Sequence, residues 1–136
     1  VDSYKPWDGV HYQYQTTLSG IMDKGLEDFE DYQVPEKLKQ LYESKDYGPY
    51  GVDGTMPVCF IASNHTSGGN SGIPVLDADG RLIGINFYRN LEGTMSDLMY
   101  DPEVCRNISI DIRYFLFIVD KFAGAGYLVE EMDLVK

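Results

Sequence analysis

The stretch that most constrains this chain runs from Thr66 to Asn86, Thr-Ser-Gly-Gly-Asn-Ser-Gly-Ile-Pro-Val-Leu-Asp-Ala-Asp-Gly-Arg-Leu-Ile-Gly-Ile-Asn. Gly68 and Gly69 lead into Asn70 and Ser71, and Gly72 follows before an apolar run, so the backbone can turn sharply at a serine and enter a strand. Ile73 to Leu76, the tetrapeptide Asp77-Ala-Asp-Gly80 and Arg81 to Phe87 read as strand, tight turn and strand, which puts Ser71 at the mouth of a sheet. A serine presented this way is a candidate catalytic nucleophile. Acyl transfer also needs backbone N–H groups to receive the developing oxyanion, and Gly69 and Ser71 are the candidates for that oxyanion hole. The alternative is a glycine-rich hairpin loop with an incidental serine.

Bulk properties narrow the function classes. With 11 basic residues against 22 acidic ones, the net charge of −11 leaves no basic stripe to neutralise phosphates, so no nucleic-acid partner is expected. The 136 residues suit a single domain, 1–136, and no signal peptide or apolar run long enough to span a membrane occurs among them. Because the chain begins at Val1 without a methionine, a processed chain or an excised piece of something longer is expected. Cys59 and Cys105 lack metal-ligand spacing; they read as two buried thiols, with one disulfide as the alternative.

Along the chain, Val1 to Val10 reads as an irregular arm. Tyr12, Tyr14, Thr16 and Leu18 alternate with polar residues as a half-buried strand ending near Gly20. His11, at the start of that strand, reads as a surface or hydrogen-bonded residue rather than a base. The carboxylates of Glu27, Asp28, Glu30 and Asp31 lack calcium-loop spacing, so they read as a solvated acidic loop and no metal is expected. Val34 to Lys45 predicts a short amphipathic helix with Pro35 in its first turn and Leu38, Leu41 and Tyr42 on one face. Met56 to Ala62 reads as the apolar strand that delivers the chain to the nucleophile loop. His65 invites pairing with Ser71, but a loop residue with a structural hydrogen bond is the preferred reading. Phe87 to Asp97 leaves the second hairpin strand as a polar loop. Arg106 to Ile112 alternates like a strand, Arg113 to Ala123 reads as a buried C-terminal helix ending at Gly124, and Tyr127 to Leu134 adds a further helical turn.

Taken together, Gly-Gly-Asn-Ser-Gly-x-Pro-Val and its hairpin resemble the second barrel of a trypsin-like serine protease. The predicted fold is therefore mainly β, an antiparallel β-barrel of that type with a short amphipathic helix and a C-terminal helix. In such a barrel the strand after the nucleophile hairpin walls the specificity pocket, and Arg89 is the side chain placed to reach a substrate. A two-pronged contact with a carboxylate, worth about 1.5–3 kcal/mol, would favour acidic substrates by roughly 10 to 150-fold. A solvated arginine, or one paired with Glu92 or Asp97, is the alternative.

From about Tyr12 to Met132 the sequence also resembles the C-terminal barrel of bacterial serine exopeptidases of the dipeptidyl-peptidase 7 and dipeptidyl-peptidase 11 family. The motifs that carry this are Asn64-His-Thr-Ser-Gly-Gly-Asn-Ser-Gly-Ile-Pro, Arg89-Asn-Leu-Glu-Gly-Thr-Met-Ser-Asp97, Tyr100-Asp-Pro-Glu103 and Asp111-Ile-Arg-Tyr-x-Leu-Phe-Ile-x-Asp-Lys-Phe-Ala-Gly-Ala-Gly126. The resemblance implies a double barrel with an inserted helical domain, in a periplasmic or surface-associated homodimer that removes dipeptides from peptide N-termini. It matches Ser71 to the nucleophile, Gly69 and Ser71 to the oxyanion N–H groups, and Arg89 to the position that selects Asp or Glu before the scissile bond. It implies no metal or organic cofactor. Two positions depart from the pattern: Ile73 replaces a small residue, and Tyr88 stands in the substrate-amine region where the family typically has an aspartate.

The expected function is thus part of a serine exopeptidase selective for Asp or Glu, acting on peptide substrates with its own N-terminal barrel as partner. The rivals are a glutamyl endopeptidase of the same fold, which Tyr88 favours, and a non-catalytic peptide-binding module. The resemblance places the catalytic histidine and aspartate in an N-terminal barrel outside these 136 residues. A serine without its base loses most of its reactivity. The isolated chain is accordingly expected not to react with a serine-directed phosphonate, as read by mass spectrometry; stoichiometric labelling of Ser71 would contradict this and point to His65.

Overall fold

The computed structural model describes residues 13–26 and 29–135. The irregular arm, His11 and Tyr12 of the first strand, and Glu27 and Asp28 of the acidic loop lie outside the described residues. The rest falls into two compact units. Among the described residues, one combines residues 13–16 with Cys59–Asp111; the other combines Thr17–Val58 with residues 112–135.

The first unit carries a sheet. Its strands are β1 (Gln15–Thr17), β2 (Pro57–Ala62), β3 (Pro74–Leu76), β4 (Leu82–Arg89) and β5 (Asn107–Asp111), in the order β1-β2-β5-β4-β3. β2 with β5, β5 with β4 and β4 with β3 are antiparallel. Asp77 builds the β3–β4 turn as the sequence predicts: its carboxylate accepts N–H bonds from Asp79 and Arg81, both 2.9 Å, and Gly80 adopts the positive φ of 79° that closes the turn. The expected barrel is not closed among the described residues. Its edges, β1 and β3, are each three residues long and pair on one side only, and a closed barrel requires every strand to pair on both.

Two features of β4 set up the site. Its register against β5 jumps between Asn86 and Tyr88, leaving Phe87 as a bulge. Simple alternation would put Gly84, Asn86 and Tyr88 on one face; the bulge releases Tyr88, which is 68% exposed while Gly84 and Asn86 are buried. Gly84 itself lies under the Phe60 ring. A β-carbon there would stand 2.7 Å from the Ile110 carbonyl oxygen and 2.8 Å from that ring, so only glycine fits.

The second unit is helical: α1 (Leu18–Lys24), α2 (Glu36–Glu43), α3 (Ile112–Phe117) and α4 (Gly126–Glu130). The predicted first strand is shorter than its alternation suggests. It stops at Thr17, and Leu18, fully buried and donating its N–H to the Met56 carbonyl at 2.9 Å, starts α1 instead. Tertiary burial of Leu18 outweighs the β propensity of the preceding run and the cost of Gly20 in a helix. α2 forms where the amphipathic pattern predicts, burying Leu38. α3 buries Leu116 and Phe117 and widens into a π-helical turn over Ile118–Phe122, and Gly124 follows at φ 71°. Tyr47 packs edge-on against Phe117 with ring centres 6.1 Å apart, and the buried Tyr50 donates its hydroxyl to Asp120 at 2.9 Å.

Replacing Gly84 by alanine forces the Ile110 backbone or the Phe60 ring to move, and overpacking of this kind costs about 1–3 kcal/mol. A Gly84→Ala chain is expected to unfold at a lower urea concentration than the parent chain; an unchanged midpoint would contradict the close approach of Phe60.

Candidate functional site

The loop between β2 and β3 is shaped by its own polar groups. The Asn70 side-chain oxygen accepts the Ser67 N–H at 2.7 Å, and Gly69 and Gly72 take φ values of 89° and 87° on either side of the Asn70-Ser71 pair. L-residues rarely adopt that region, so the two glycines permit the double turn. β4 then fixes the loop from below. Asn86, 3% exposed, donates its side-chain N–H to the Asn70 carbonyl at 3.0 Å, its backbone carbonyl accepts from Gly72 N–H at 2.7 Å, and its own N–H bonds the Ile73 carbonyl at 3.0 Å.

That arrangement has a directional consequence. A trans peptide points its C=O and N–H oppositely, so anchoring the Asn70 carbonyl to Asn86 turns the Ser71 N–H away from Asn86. Neither the Ser71 nor the Gly69 amide has a hydrogen-bond partner among the described residues. The Ser71 hydroxyl is exposed and donates to the Phe87 carbonyl at 3.3 Å. These groups border an open cleft of about 300 Å³ whose lining includes Gly69, Ser71, Asn86, Tyr88 and Arg89. The residues the sequence singles out, Ser71, Gly69, Arg89 and Tyr88, therefore share one cleft.

Arg89 is paired with Asp97, one of the alternatives the sequence left open, with its side chain 23% exposed. Its Nη1 and Nη2 donate to the two Asp97 oxygens at 2.6 and 2.8 Å, and Nη1 also reaches the Ser96 hydroxyl at 3.0 Å. Asp97 in turn accepts the Gly68 N–H at 2.9 Å, and the Ser96 hydroxyl donates to the Thr66 carbonyl at 2.9 Å. The segment Leu91–Asp97, expected as a polar loop, is a 3-10 helix that buttresses the serine loop. Glu92, the other acid considered for Arg89, accepts from Asn90 instead at 2.7 Å. His65 does not bond Ser71. Its Nε2 lies 3.1 Å from the Ser96 carbonyl, and its ring stacks on Tyr100 at 4.7 Å.

Sequence reasoning missed the role of Asn86 and, of the two contacts of Asp97, named the one with Arg89 but not the one with Gly68. The signal for Asn86 was a polar residue in an otherwise apolar strand; Gly68 lies too far along the chain from Asp97 for spacing to reveal their contact. Beneath the loop, Asn107 donates to Asn86 at 3.3 Å and to Ser109 at 3.2 Å, extending a buried polar layer down β5. Cys59 and Cys105 are both free thiols, Cys105 buried and Cys59 half-buried, with burial pushing the Cys59 thiol up.

Comparison with known proteins gives a consistent set of relatives. The family model Peptidase S46 matches residues 1–134. The chain is 56% identical over 135 residues to the Asp/Glu-specific dipeptidyl-peptidase of Flavobacterium psychrophilum, a match covering 99% of this chain and 19% of that protein. It is 48% identical over 137 residues to dipeptidyl-peptidase 7 of Phocaeicola vulgatus, covering 100% of this chain and 19% of that protein. It superposes on the crystal structure of Porphyromonas endodontalis DPP11 in complex with the dipeptide Arg-Asp with a TM-score of 0.88 at 52% identity, covering 94% of this chain and 19% of that one. The chain thus spans about a fifth of the length of the relatives it matches.

The Arg89 guanidinium, with the Gly68 N–H adding to it, holds the Asp97 carboxyl down to about 2, below its ordinary 3.8. A carboxylate depressed on folding contributes its stabilisation above the ordinary value and loses it as pH falls through the lowered one. The Arg89–Asp97 pair is therefore expected to persist through pH 4 and open near pH 2, as followed by the carboxyl carbon shift of Asp97 in an NMR titration. Titration of Asp97 near 4 would contradict the pairing.

Proposed function

The chain belongs to the peptidase S46 family, and from that premise we propose that it is the nucleophile-bearing part of a serine dipeptidyl-peptidase that releases N-terminal dipeptides ending in Asp or Glu. The observation that carries the proposal is that Ser71, the unpartnered Gly69 and Ser71 amides, and the Arg89 guanidinium all border one cleft. In this mechanism the Ser71 hydroxyl turns from the Phe87 carbonyl to attack the scissile carbonyl. The two amides receive the negative charge that develops on its oxygen, and Arg89 binds the acidic side chain of the residue before the cleaved bond. The base that takes the Ser71 proton comes from an N-terminal barrel of the full-length protein, since His65 is held by Ser96 and Tyr100.

The sheet is of the trypsin-like type, as the position of the serine loop between β2 and β3 suggests, and the parent works as a periplasmic or cell-surface homodimer. Tyr88, exposed at the cleft where an anionic partner for the substrate ammonium would help, favours a second reading, a glutamyl endopeptidase that needs no free N-terminus.

Fluorogenic dipeptides ending in Asp, Glu or Leu, each with a free and an acetylated N-terminus, separate these readings when given to the full-length protein. Fast release is expected from the free-amino Asp and Glu substrates. Ser71→Ala should abolish it, and Arg89→Gly should lower the Asp-over-Leu preference by roughly 10 to 150-fold. Equal or faster cleavage of the acetylated substrates would make the protein an endopeptidase, and no cleavage would leave a peptide-binding module.

A further inference from the structure

We propose that Asp97 is a positioning residue for acidic-substrate recognition: it occupies the end-on edge of the Arg89 guanidinium and ties it to the nucleophile loop, leaving the Nε–Nη2 edge for the substrate carboxylate. This rests on the reading of Arg89 as the group that selects acidic substrates.

The hydrogen-bond count of the guanidinium supports it. Asp97 takes one N–H from each terminal nitrogen, at 2.6 and 2.8 Å, and Ser96 takes the second N–H of Nη1 at 3.0 Å. What remains is the Nε N–H and the second N–H of Nη2, neither with a partner among the described residues. These two lie parallel along one edge of the planar group, a fork that matches the two oxygens of a carboxylate. An arginine fully consumed by Asp97 could not read a second acid, and an unpaired one would sample many rotamers. The Asp97–Ser96 cradle fixes the plane and leaves one edge open.

The second contact of Asp97 gives the arrangement its reach. Oδ1, which accepts from Nη1, also accepts the Gly68 N–H at 2.9 Å, and Gly68 precedes the amide assigned to the oxyanion hole. One carboxylate therefore sets the guanidinium against the loop that presents Ser71. The distance between the attacking oxygen and the acid-reading fork is constrained through it, and a small misplacement at either end weakens productive binding.

The competing possibility is that Asp97 blocks the site and must be displaced by the substrate. The two make opposite predictions for the full-length protein. If Asp97 positions Arg89, Asp97→Asn is expected to raise KM for the free-amino dipeptides ending in Asp and Glu roughly tenfold more than KM for the Leu dipeptide, with kcat changed less. An unchanged or lower KM for the acidic substrates would overturn the proposal. An equal loss on acidic and Leu substrates would also overturn it, by showing that Asp97 only supports the loop. Should Asp97→Asn lose its folded near-UV signature, Asp97→Glu carries the test: it keeps the charge but displaces the oxygens by one methylene, and the same selective rise in KM is expected. Arg89→Gly in parallel keeps the two failures apart, because an Asp-over-Leu preference that survives that change refutes the role of Arg89, whereas one that collapses while the Asp97 variants stay normal refutes the role of Asp97 alone.

Discussion

A polar side chain buried in a sheet must find partners inside the protein, and Asn86 finds them in the loop that carries Ser71. Its amide anchors the Asn70 carbonyl, while its backbone groups bond Gly72 and Ile73 on the other side of the serine. Leaving such a group unpaired costs about 1–3 kcal/mol, so the strand and the loop hold each other in one geometry. Because a trans peptide fixes the N–H opposite the C=O, this single anchor decides which way the Ser71 amide points. The direction of the Ser71 amide, and with it the absence of a partner for that amide among the described residues, follows from where Asn86 sits.

The polar layer continues below Asn86 and inverts what alternation alone suggests. In β5 the apolar positions Ile108 and Ile110 are only half-buried, while Asn107, Ser109 and Asp111 are at most 4% exposed. Asparagine and serine there give Asn86 a hydrogen-bonded floor, and the Asn107 side-chain oxygen has no partner among the described residues. Burying a polar group without full satisfaction is costly. That the chain accepts this directly beneath the serine loop fits a region shaped for a site rather than for stability alone.

How much of this was legible in the sequence depended on whether the determining contacts were local. The Asp77 turn, the α2 helix, the strands Pro57–Ala62, Leu82–Arg89 and Asn107–Asp111 and the glycines of the serine loop announce themselves, because turn chemistry and periodicity act over a few residues. The end of β1 at Thr17 does not, because it is decided by the burial of Leu18 and its bond to Met56, far along the chain. Open edges on β1 and β3 among the described residues, in place of a closed barrel, are likewise a matter of non-local pairing. In the site, Ser71 and Arg89 carry recognisable neighbours, but the bulge at Phe87 shows only in the register of β4 against β5. For Arg89 the sequence did name Asp97, eight residues on, among its possible partners, but not the tie from Asp97 back to Gly68.

The bulge connects the two halves of the site. Phe87 contributes the carbonyl on which the Ser71 hydroxyl rests, and two residues further along the same strand Arg89 meets Asp97, which returns to Gly68 of the serine loop. The strand and the loop are thus joined at both ends, through Asn86 and Phe87 at one and through Asp97 at the other. A closed circuit of this kind resists the independent drift of either part more than a single link would, since displacing one end strains hydrogen bonds at the other. On the proposed mechanism this divides the labour of catalysis. On it, the groups that would recognise an acidic side chain and receive the oxyanion are held by contacts within one compact unit, while the proton acceptor would arrive on another part of the full-length protein. Substrate selection would then be set before the proposed base is in place, and a barrel bringing that base would need only to align with a surface already organised to receive the peptide.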